Sequence, residues 1–493
     1  MENRVENGDY VVAIDLGTNT VVTVVGTKDE DGRIRIVDRE VSPVQGMGMV
    51  RGEIKNIELV SQSIKATVAA IEQRQQIRIT EAYADVSGQH IRCVKHPYHV
   101  FSRGGEIRQE DVQHLHDSMR NVPAPEGEKI LQIIPQSYVV DDEEETSSPV
   151  GTFGTKLAST FNILLGDSTA ISRVEMALKR GGVAPLGLFL NAVASAEAVL
   201  SEDEKQEGVA VIDIGGGTTD VTVYEKNIIR HVGIVPMGGN VVNKDIRSYG
   251  ILEKHVESLK TRYGGAMREK AQPDKFITTP GLSAKAPKEI SCQNLAAIIE
   301  ARMQDIIDFA VEEIKKSGYQ NKLSAGVVLT GGGAQLRDLD ALFKSYTGMD
   351  VRVAGPEAVL AADSPDEATG PDMSTAVGIL AKAFAEDRPA RSARPKASSP
   401  RPVSGSYDAT EPKAGVSRQK INDLYRNDAG ASRYGQSVPG ESVAEEEEFE
   451  PMFSSCRPKL QGKKIALFGS YGWGDGEWMR EWEKRVTDAG AKL

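Results

Sequence analysis

Two short segments of the chain carry residue types that could together hold a polyphosphate. Asp15-Leu16-Gly17-Thr18-Asn19-Thr20 and Asp213-Ile214-Gly215-Gly216-Gly217-Thr218-Thr219-Asp220 each set a carboxylate two residues before a glycine and follow it with threonine. A nucleoside triphosphate needs backbone donors at close range, a divalent cation to offset its charge, and carboxylates that hold the cation rather than touch the phosphates. Gly17, Gly215, Gly216 and Gly217 let main-chain N–H groups approach without a Cβ in the way, and Thr18, Thr218 and Thr219 add hydroxyl donors. Asp15 and Asp213 are the candidate Mg2+ holders, acting through water because magnesium dehydrates reluctantly. Taken singly, each segment also reads as an ordinary hairpin turn. A third glycine motif, Gly331-Gly332-Gly333, follows the run Val327 to Thr330 and reads either as a further part of such a site or as a plain strand-to-helix turn.

The first two segments sit inside an internal repeat. β-branched runs flank each of them, Val12 to Ile14 with Val21 to Val25 and Ala210 to Ile212 with Val221 to Tyr224, which predicts two β-hairpins with polar tips. After the first hairpin, Asp31-Gly32 turns into a strand from Ile34 to Val37, and Val60, Ile64, Val68 and Ile71 then recur at helical spacing. A sheet followed by a covering helix, twice over, predicts two α/β lobes. Residues 86–163 between them read as a separate subdomain, with a strand from Ile133 to Val140 and a polar helix from Gln109 to Arg120. Later helices are predicted at Leu252 to Tyr263 and Leu295 to Ile314, the second with a core-facing stripe of Leu295, Ile299, Met303 and Ile306.

Bulk properties remove several function classes. The 493 residues carry 59 Lys+Arg against 71 Asp+Glu, a formal net charge of −12, which argues against a nucleic-acid partner bound by phosphate neutralisation. Three widely spaced cysteines, Cys93, Cys292 and Cys456, suggest neither a disulfide framework nor a thiolate zinc site. No apolar run approaches the roughly 20 residues that span a bilayer, and Met1 to Tyr10 lacks a signal-peptide pattern, so a cytoplasmic protein is expected, with peripheral membrane contact left open. Beyond Phe384 the composition turns to Pro, Ser, Gly and Arg, and 387–458 is expected to be a disordered linker. All three tryptophans, Trp473, Trp478 and Trp482, lie in 459–493.

The ordered set of Asp15 to Thr20, Ile133-Ile134-Pro135-Gln136, Asp213 to Asp220, Leu329 to Ala334 and Ser374 to Gly378 resembles the actin/Hsp70/sugar-kinase ATPase superfamily. Val86 to Ile91, Ile134 to Tyr138, Asn191 to Ser195, Gly239 to Val242 and Val328 to Gly332 resemble, more narrowly, the bacterial cell-division FtsA family. The resemblance covers roughly Asp9 to Phe384. It implies a two-lobed actin-like fold, with lobe 1A built from 1–85, 164–205 and 355–386. Subdomain 1C would be inserted at 86–163, lobe 2A would take 206–250 and 323–354, and lobe 2B would take 251–322. It implies ATP with Mg2+ as cofactor, bound by Asp15, Gly17, Thr18 and Asn19 from one lobe and Asp213, Gly215, Gly216, Gly217 and Thr218 from the other. Gly331, Gly332 and Gly333 would lie under the α-phosphate and adenosine, and Glu257 and Lys260 near ribose and base, although that pair also reads as an exposed i, i+3 ion pair. Gln136 would orient the attacking water; an amide is a poor base, so hydrolysis would be slow. The implied partners are the C-terminal peptide of the tubulin-like GTPase FtsZ, bound by lobe 2B with Arg302 facing it, and further copies of the chain, joined through 1C into filaments. Arg302 also reads as a solvated surface charge. The implied place is the inner face of the membrane at the division site. Alternatives on the same fold are a small-molecule kinase, for which no catalytic carboxylate can be singled out, and a chaperone-type ATPase, which would need a large β domain where the linker lies.

The end of the chain departs from that pattern. Gly462 to Met479 resembles the fourth strand and isoalloxazine loop of a short-chain flavodoxin, with Trp473 where a ring would stack. The phosphate-binding turn and most of a parallel sheet are missing, so no FMN is expected to bind. The competing reading makes Trp478, Met479 and Trp482 one face of an amphipathic membrane-contacting tail.

Overall fold

Val11–Leu16 and Thr20–Lys28 pair antiparallel, with Leu16 opposite Val21, so only Gly17, Thr18 and Asn19 are left to turn the corner. Val209–Ile214 and Thr219–Glu225 do the same, with Ile214 opposite Thr219. Every residue of Val11–Leu16 and Val209–Ile214 is buried, as expected of β-branched strands covered on both faces. The computed structural model describes residues 10–280, 287–386, 393–395 and Thr487.

Each hairpin anchors a five-stranded mixed sheet, and the two sheets share one topology. The first runs Ala184–Leu190, Glu81–Val86, Val11–Leu16, Thr20–Lys28, Ile34–Pro43; the second runs Val351–Val353, Val327–Thr330, Val209–Ile214, Thr219–Glu225, Ile228–Val235. In both, two parallel strands precede a three-stranded antiparallel meander. The repeat seen in the hairpins therefore extends to the whole of each sheet, giving the two-lobed α/β architecture.

Helices cover the sheets where apolar spacing placed them. Ile57–Gln75 starts at Asn56, whose side chain accepts from the Glu58 and Leu59 amides, a cap worth about 1 kcal/mol. It buries Val60, Ile64, Val68 and Ile71 against Val12 and Ile14. The long helix Cys292–Ser317 buries Leu295, Ile299, Met303 and Ile306 against Ile212, Val223 and Leu329. Each such side chain contributes about 1.5–3 kcal/mol on burial. Two further helices, Asn191–Val199 and Ser374–Ala385, pack on each other closely enough that a Cβ on Gly378 would run into the Ala194 carbonyl.

Residues 92–167 form a separate three-stranded sheet. Lys156–Asp167 lies between Arg92–Phe101 and Glu128–Val140, and helix Gln109–Arg120 buries Val112, Leu115 and Met119 against Leu157 and Phe161. Among the described residues no helix is long and apolar enough to cross a membrane. Ordered backbone reaches into the stretch expected as linker: Ala393–Pro395 pairs antiparallel with Ile77–Ile79, whose edge offers unpaired backbone groups. The rest of the expected linker 387–458 and all of the flavodoxin-like segment except Thr487 lie outside the described residues.

Candidate functional site

The two hairpin tips meet. A Cβ on Gly217 would lie 2.5 Å from Thr18 Oγ1, and one on Gly216 would lie 2.5 Å from Asn19 Nδ2. The glycines of the second tip are therefore required first by the approach of the first tip, before any ligand is considered. Asn19 and Asn240 each donate one side-chain N–H to the other's Oδ1 across this junction, at 3.0 and 2.8 Å. The N–H groups of Gly239 and Asn240, which begin helix Gly239–Ser248, donate to the carbonyls of Gly215 and Gly216.

Beneath the tips lie four buried carboxyl groups, and each lobe supplies two. The lobe of the second sheet brings Asp213 and Asp220, directly opposite each other in the hairpin register. In the first hairpin Val22 stands opposite Asp15, and the second carboxyl comes instead from Asp85, near the end of the parallel neighbour strand Glu81–Val86. Asp85 accepts from the Leu16 amide at 2.7 Å and from Asn191 Nδ2 at 3.2 Å. Thr375 bonds both Asn191 Oδ1 and Asp213 Oδ2, so a polar chain links a carboxyl of one lobe to a carboxyl of the other through the starts of the two crossing helices.

Burial and mutual repulsion govern the protonation of this cluster. Burial pushes Asp15 well above the usual carboxylate range, with Asp85, Asp213, Asp372 and Asp220 adding to the shift. Burial raises Asp85 against the opposing hydrogen bonds from Leu16 and Asn191. Asp213 is pushed up to about 6 by burial, and Asp220 to about 8 by burial and then by Asp213. Asp220 Oδ2 accepts from Ser87 Oγ at 3.1 Å, while its Oδ1 is buried with no hydrogen-bond partner. An orphaned carboxylate oxygen among mutually repelling carboxyls is a place where a hydrated cation would be stabilised. Among the described residues no three His, Cys, Asp or Glu side chains converge to ligate one ion directly. The buried carboxyls fit a hydrated Mg2+, which Asp15 and Asp213 would hold through its water shell.

The remaining expected residues divide. Gly331, at φ +83°, has its Cα turned so closely onto Asp213 Oδ1 that no Cβ fits, and Gly333 abuts Ile214, so this motif packs on the strand end that carries Asp213. Gly332 meets only Asp372, at 3.9 Å. Lys260 pairs with Glu257 at 2.9 Å and donates to the Gly239 carbonyl at 3.3 Å, which ties both residues to the second tip. Asp85, Ser87, Asn191, Asn240 and Thr375 also belong to the cleft. Asp85 and Ser87 have a sequence signal, since the strand Glu81–Val86 runs out into Asp-Val-Ser-Gly, a carboxylate three residues before a glycine.

Gln136 is not brought to the tips, which corrects the expectation that it positions the attacking water. Its Nε2 donates to the Ile229 carbonyl at 3.0 Å and its Oε1 accepts from Arg230 at 3.2 Å. Ile229 pairs with Tyr224, five positions from Thr219 at the tip, roughly 17 Å along the strand at ~3.4 Å per residue. Gln136 lines a different cavity, of about 480 Å3, between the inserted sheet and strand Ile228–Val235. Arg230, buried there, pairs with Glu225 at 2.7 Å and stacks on Tyr319. Arg302 is likewise engaged inside the chain: its guanidinium forks onto Asp245, at 2.6 and 3.2 Å, and reaches Asp305 at 3.0 Å.

Comparison with known proteins bears on the family and the fold. The family model "Cell division protein FtsA" matches residues 210–378, and "SHS2 domain inserted in FTSA" matches 88–165, the range of the inserted sheet. The cell division protein FtsA of Neisseria meningitidis serogroup B is 33% identical over 373 residues, covering 75% of this chain and 89% of that protein. FtsA of Escherichia coli K12 is 31% identical over 378 residues, with the same coverages of 75% and 89%. A solved chain of the "PilM-PilN type IV pilus biogenesis complex" aligns with a TM-score of 0.54 at 16% identity, covering 77% of this chain and 98% of that one, a likeness of fold. The comparisons lend no support to the flavodoxin-like reading of 459–493.

Proposed function

Because the chain belongs to the FtsA family of cell-division proteins, with an actin-like α/β fold, we propose that it binds Mg·ATP between the hairpin tips and acts as a nucleotide-dependent scaffold. The observation that carries this reading is the meeting of two equivalent loops, one from each lobe, above buried carboxyls that need a cation. When bound, Mg2+ supplies the positive charge that lets a polyphosphate sit beside those carboxyls. Asp15 and Asp213 hold its water shell, Thr18 and Thr218 offer hydroxyls, and the backbone amides of the two tips offer donors. Ligand between the tips bridges the lobes, so its presence alters their spacing and with it any surface that spans both.

As a member of its family the chain has partners in the division machinery; the finer assignments are part of the proposal. The inserted sheet joins copies into filaments, lobe 2B takes the FtsZ C-terminal peptide, and the filament ties FtsZ to the inner face of the cytoplasmic membrane. Arg302 contributes to the peptide face only by sharing its guanidinium with Asp245 and Asp305, so its role there is to shape the groove as much as to contact the peptide. With Gln136 engaged elsewhere, turnover is slow, and nucleotide state rather than flux is what the partner reads. The test is sedimentation of the full chain with FtsZ and anionic vesicles. Vesicle pellets should carry FtsZ only when this chain and Mg·ATP are both present. FtsZ pelleting to the same extent without either would contradict the scaffold reading.

A further inference from the structure

Resting on the nucleotide reading above, we propose that Arg51 is a phosphate-reading cation, supplied by the lobe of the first sheet to the terminal phosphate at the seam between the two hairpin tips. The cleft as described carries a formal excess of buried carboxyls and one obvious cation, Lys260, whose ammonium is already shared by Glu257 and the Gly239 carbonyl. A triphosphate beside that cluster needs more positive charge than one hydrated Mg2+ brings.

Arg51 lies where that charge is needed. It occupies the tip of a two-residue hairpin, Met49–Val50 against Glu53–Ile54, and is itself in the left-handed region at φ 51°. A Cβ on Gly217 would sit 3.0 Å from Arg51 Cα, so the arginine's backbone touches the second tip while belonging to the first lobe. The next residue, Gly52, donates its N–H to Thr18 Oγ1 at 3.1 Å, and its Cα packs on Gly88, one residue beyond the Ser87 that bonds Asp220. The small hairpin is thus pinned to the first tip, the second tip and the carboxyl cluster at once.

The side chain is uncommitted. Lys55, on the same hairpin, is paired with Glu53, whereas among the described residues Arg51 makes no ion pair and no side-chain hydrogen bond. Nor does it count among the groups that shift Asp15, Asp213 or Asp220. A half-buried arginine held in a left-handed turn, against two phosphate-type loops and without a carboxylate, has the fork geometry and free donors suited to phosphate oxygens. The left-handed backbone costs free energy for a residue with a Cβ, and Gly or Asn would relieve it, so the strain is retained for what the side chain does.

The test is a pair of calorimetric titrations, Mg·ATP and Mg·ADP, on the full chain and on Arg51→Asn and Arg51→Lys. Asparagine tolerates the left-handed turn, so the first variant keeps the fold, and the lysine variant keeps the charge without the fork. Arg51→Asn should weaken ATP at least about tenfold and ADP less than about threefold, with Arg51→Lys between the parent and Arg51→Asn. ATP binding by Arg51→Asn equal to the parent's, or equal losses for ATP and ADP, would overturn the proposal. A parent that bound neither nucleotide would instead remove the nucleotide reading, and the role of Arg51 with it.

Discussion

Asn19 and Asn240 form a reciprocal amide pair across the cleft, one residue from each lobe, each donating a side-chain N–H to the other's Oδ1. The pair closes the two tips on each other without burying a charge, and Asn240 also donates its backbone N–H to Gly216, so a single residue ties its helix to both loops. Asn240→Ala removes the two side-chain bonds, together worth about 1–2 kcal/mol at an exposed site. Release of a fluorescent ATP analogue should then speed up by roughly fivefold to thirtyfold, since each 1.4 kcal/mol is tenfold. An unchanged release rate in stopped flow would mean that the amide pair does not hold the lobes together.

The carboxyl cluster sets the pH dependence. Asp213 and Asp220 titrate at about 6 and about 8 in the folded chain, above the ordinary value of 3.8 that the unfolded chain shows. The folded state therefore holds protons that the unfolded state releases, and the stability this contributes is full below about pH 4 and lost as pH rises through 6 and then 8. Without magnesium, the thermal midpoint should fall between pH 5 and pH 8.5, and Asp213→Asn should flatten the upper-acid part of that fall. A midpoint that rose over the same range would contradict the assigned cluster.

Gly331 is the most demanding backbone position of the site. Alanine there would combine φ +83° with a Cβ forced onto Asp213 Oδ1 and the Ile214 carbonyl. The left-handed strain alone costs about 1–3 kcal/mol. Gly331→Ala should lower the unfolding free energy read from denaturant titration by at least that much, whereas Gly332→Ala, whose Cβ meets only Asp372 at contact distance, should leave it nearly unchanged.

Gln136 and Arg230 belong to the joint between the inserted sheet and the second five-stranded sheet. Arg230→Leu would leave buried Glu225 with only the longer contact to Lys226, at 3.8 Å, a loss of up to about 3 kcal/mol. Adding Glu225→Gln should recover part of it, as equilibrium unfolding of the double variant would show. Gln136→Ala should leave steady-state ATP turnover unchanged; a clear fall in turnover would return Gln136 to the cleft.

The hairpins were legible because their strands bury both faces and their tips use glycine and threonine, a pattern confined to a dozen residues. The long helices were legible for the same reason: Leu295, Ile299, Met303 and Ile306 mark a face by spacing alone. The place of Gln136 is not legible locally, because strand Glu128–Val140 puts its side chain on the Ile229 carbonyl through a tertiary contact between residues 93 apart. Asp85 is hard to see in the sequence because its approach to Asp15 comes from parallel pairing of separate strands, and Arg51 because its contact with the second tip is made by its backbone. The duplicated topology explains both the success and the failure: each sheet repeats the other, yet the second carboxyl comes from the hairpin partner in one lobe and from the parallel neighbour in the other.

The most direct test of the cleft is calorimetry of the full chain with Mg·ATP, beside Asp213→Ala and Gly217→Val. One nucleotide per chain is expected for the parent. Binding should be much weaker in Asp213→Ala, which loses a holder of the ion's water shell, and in Gly217→Val, whose side chain would collide with Thr18 and Arg51 and keep the tips apart. Absence of binding in the parent, or parent-like binding in both variants, would show that the two tips are not the nucleotide site.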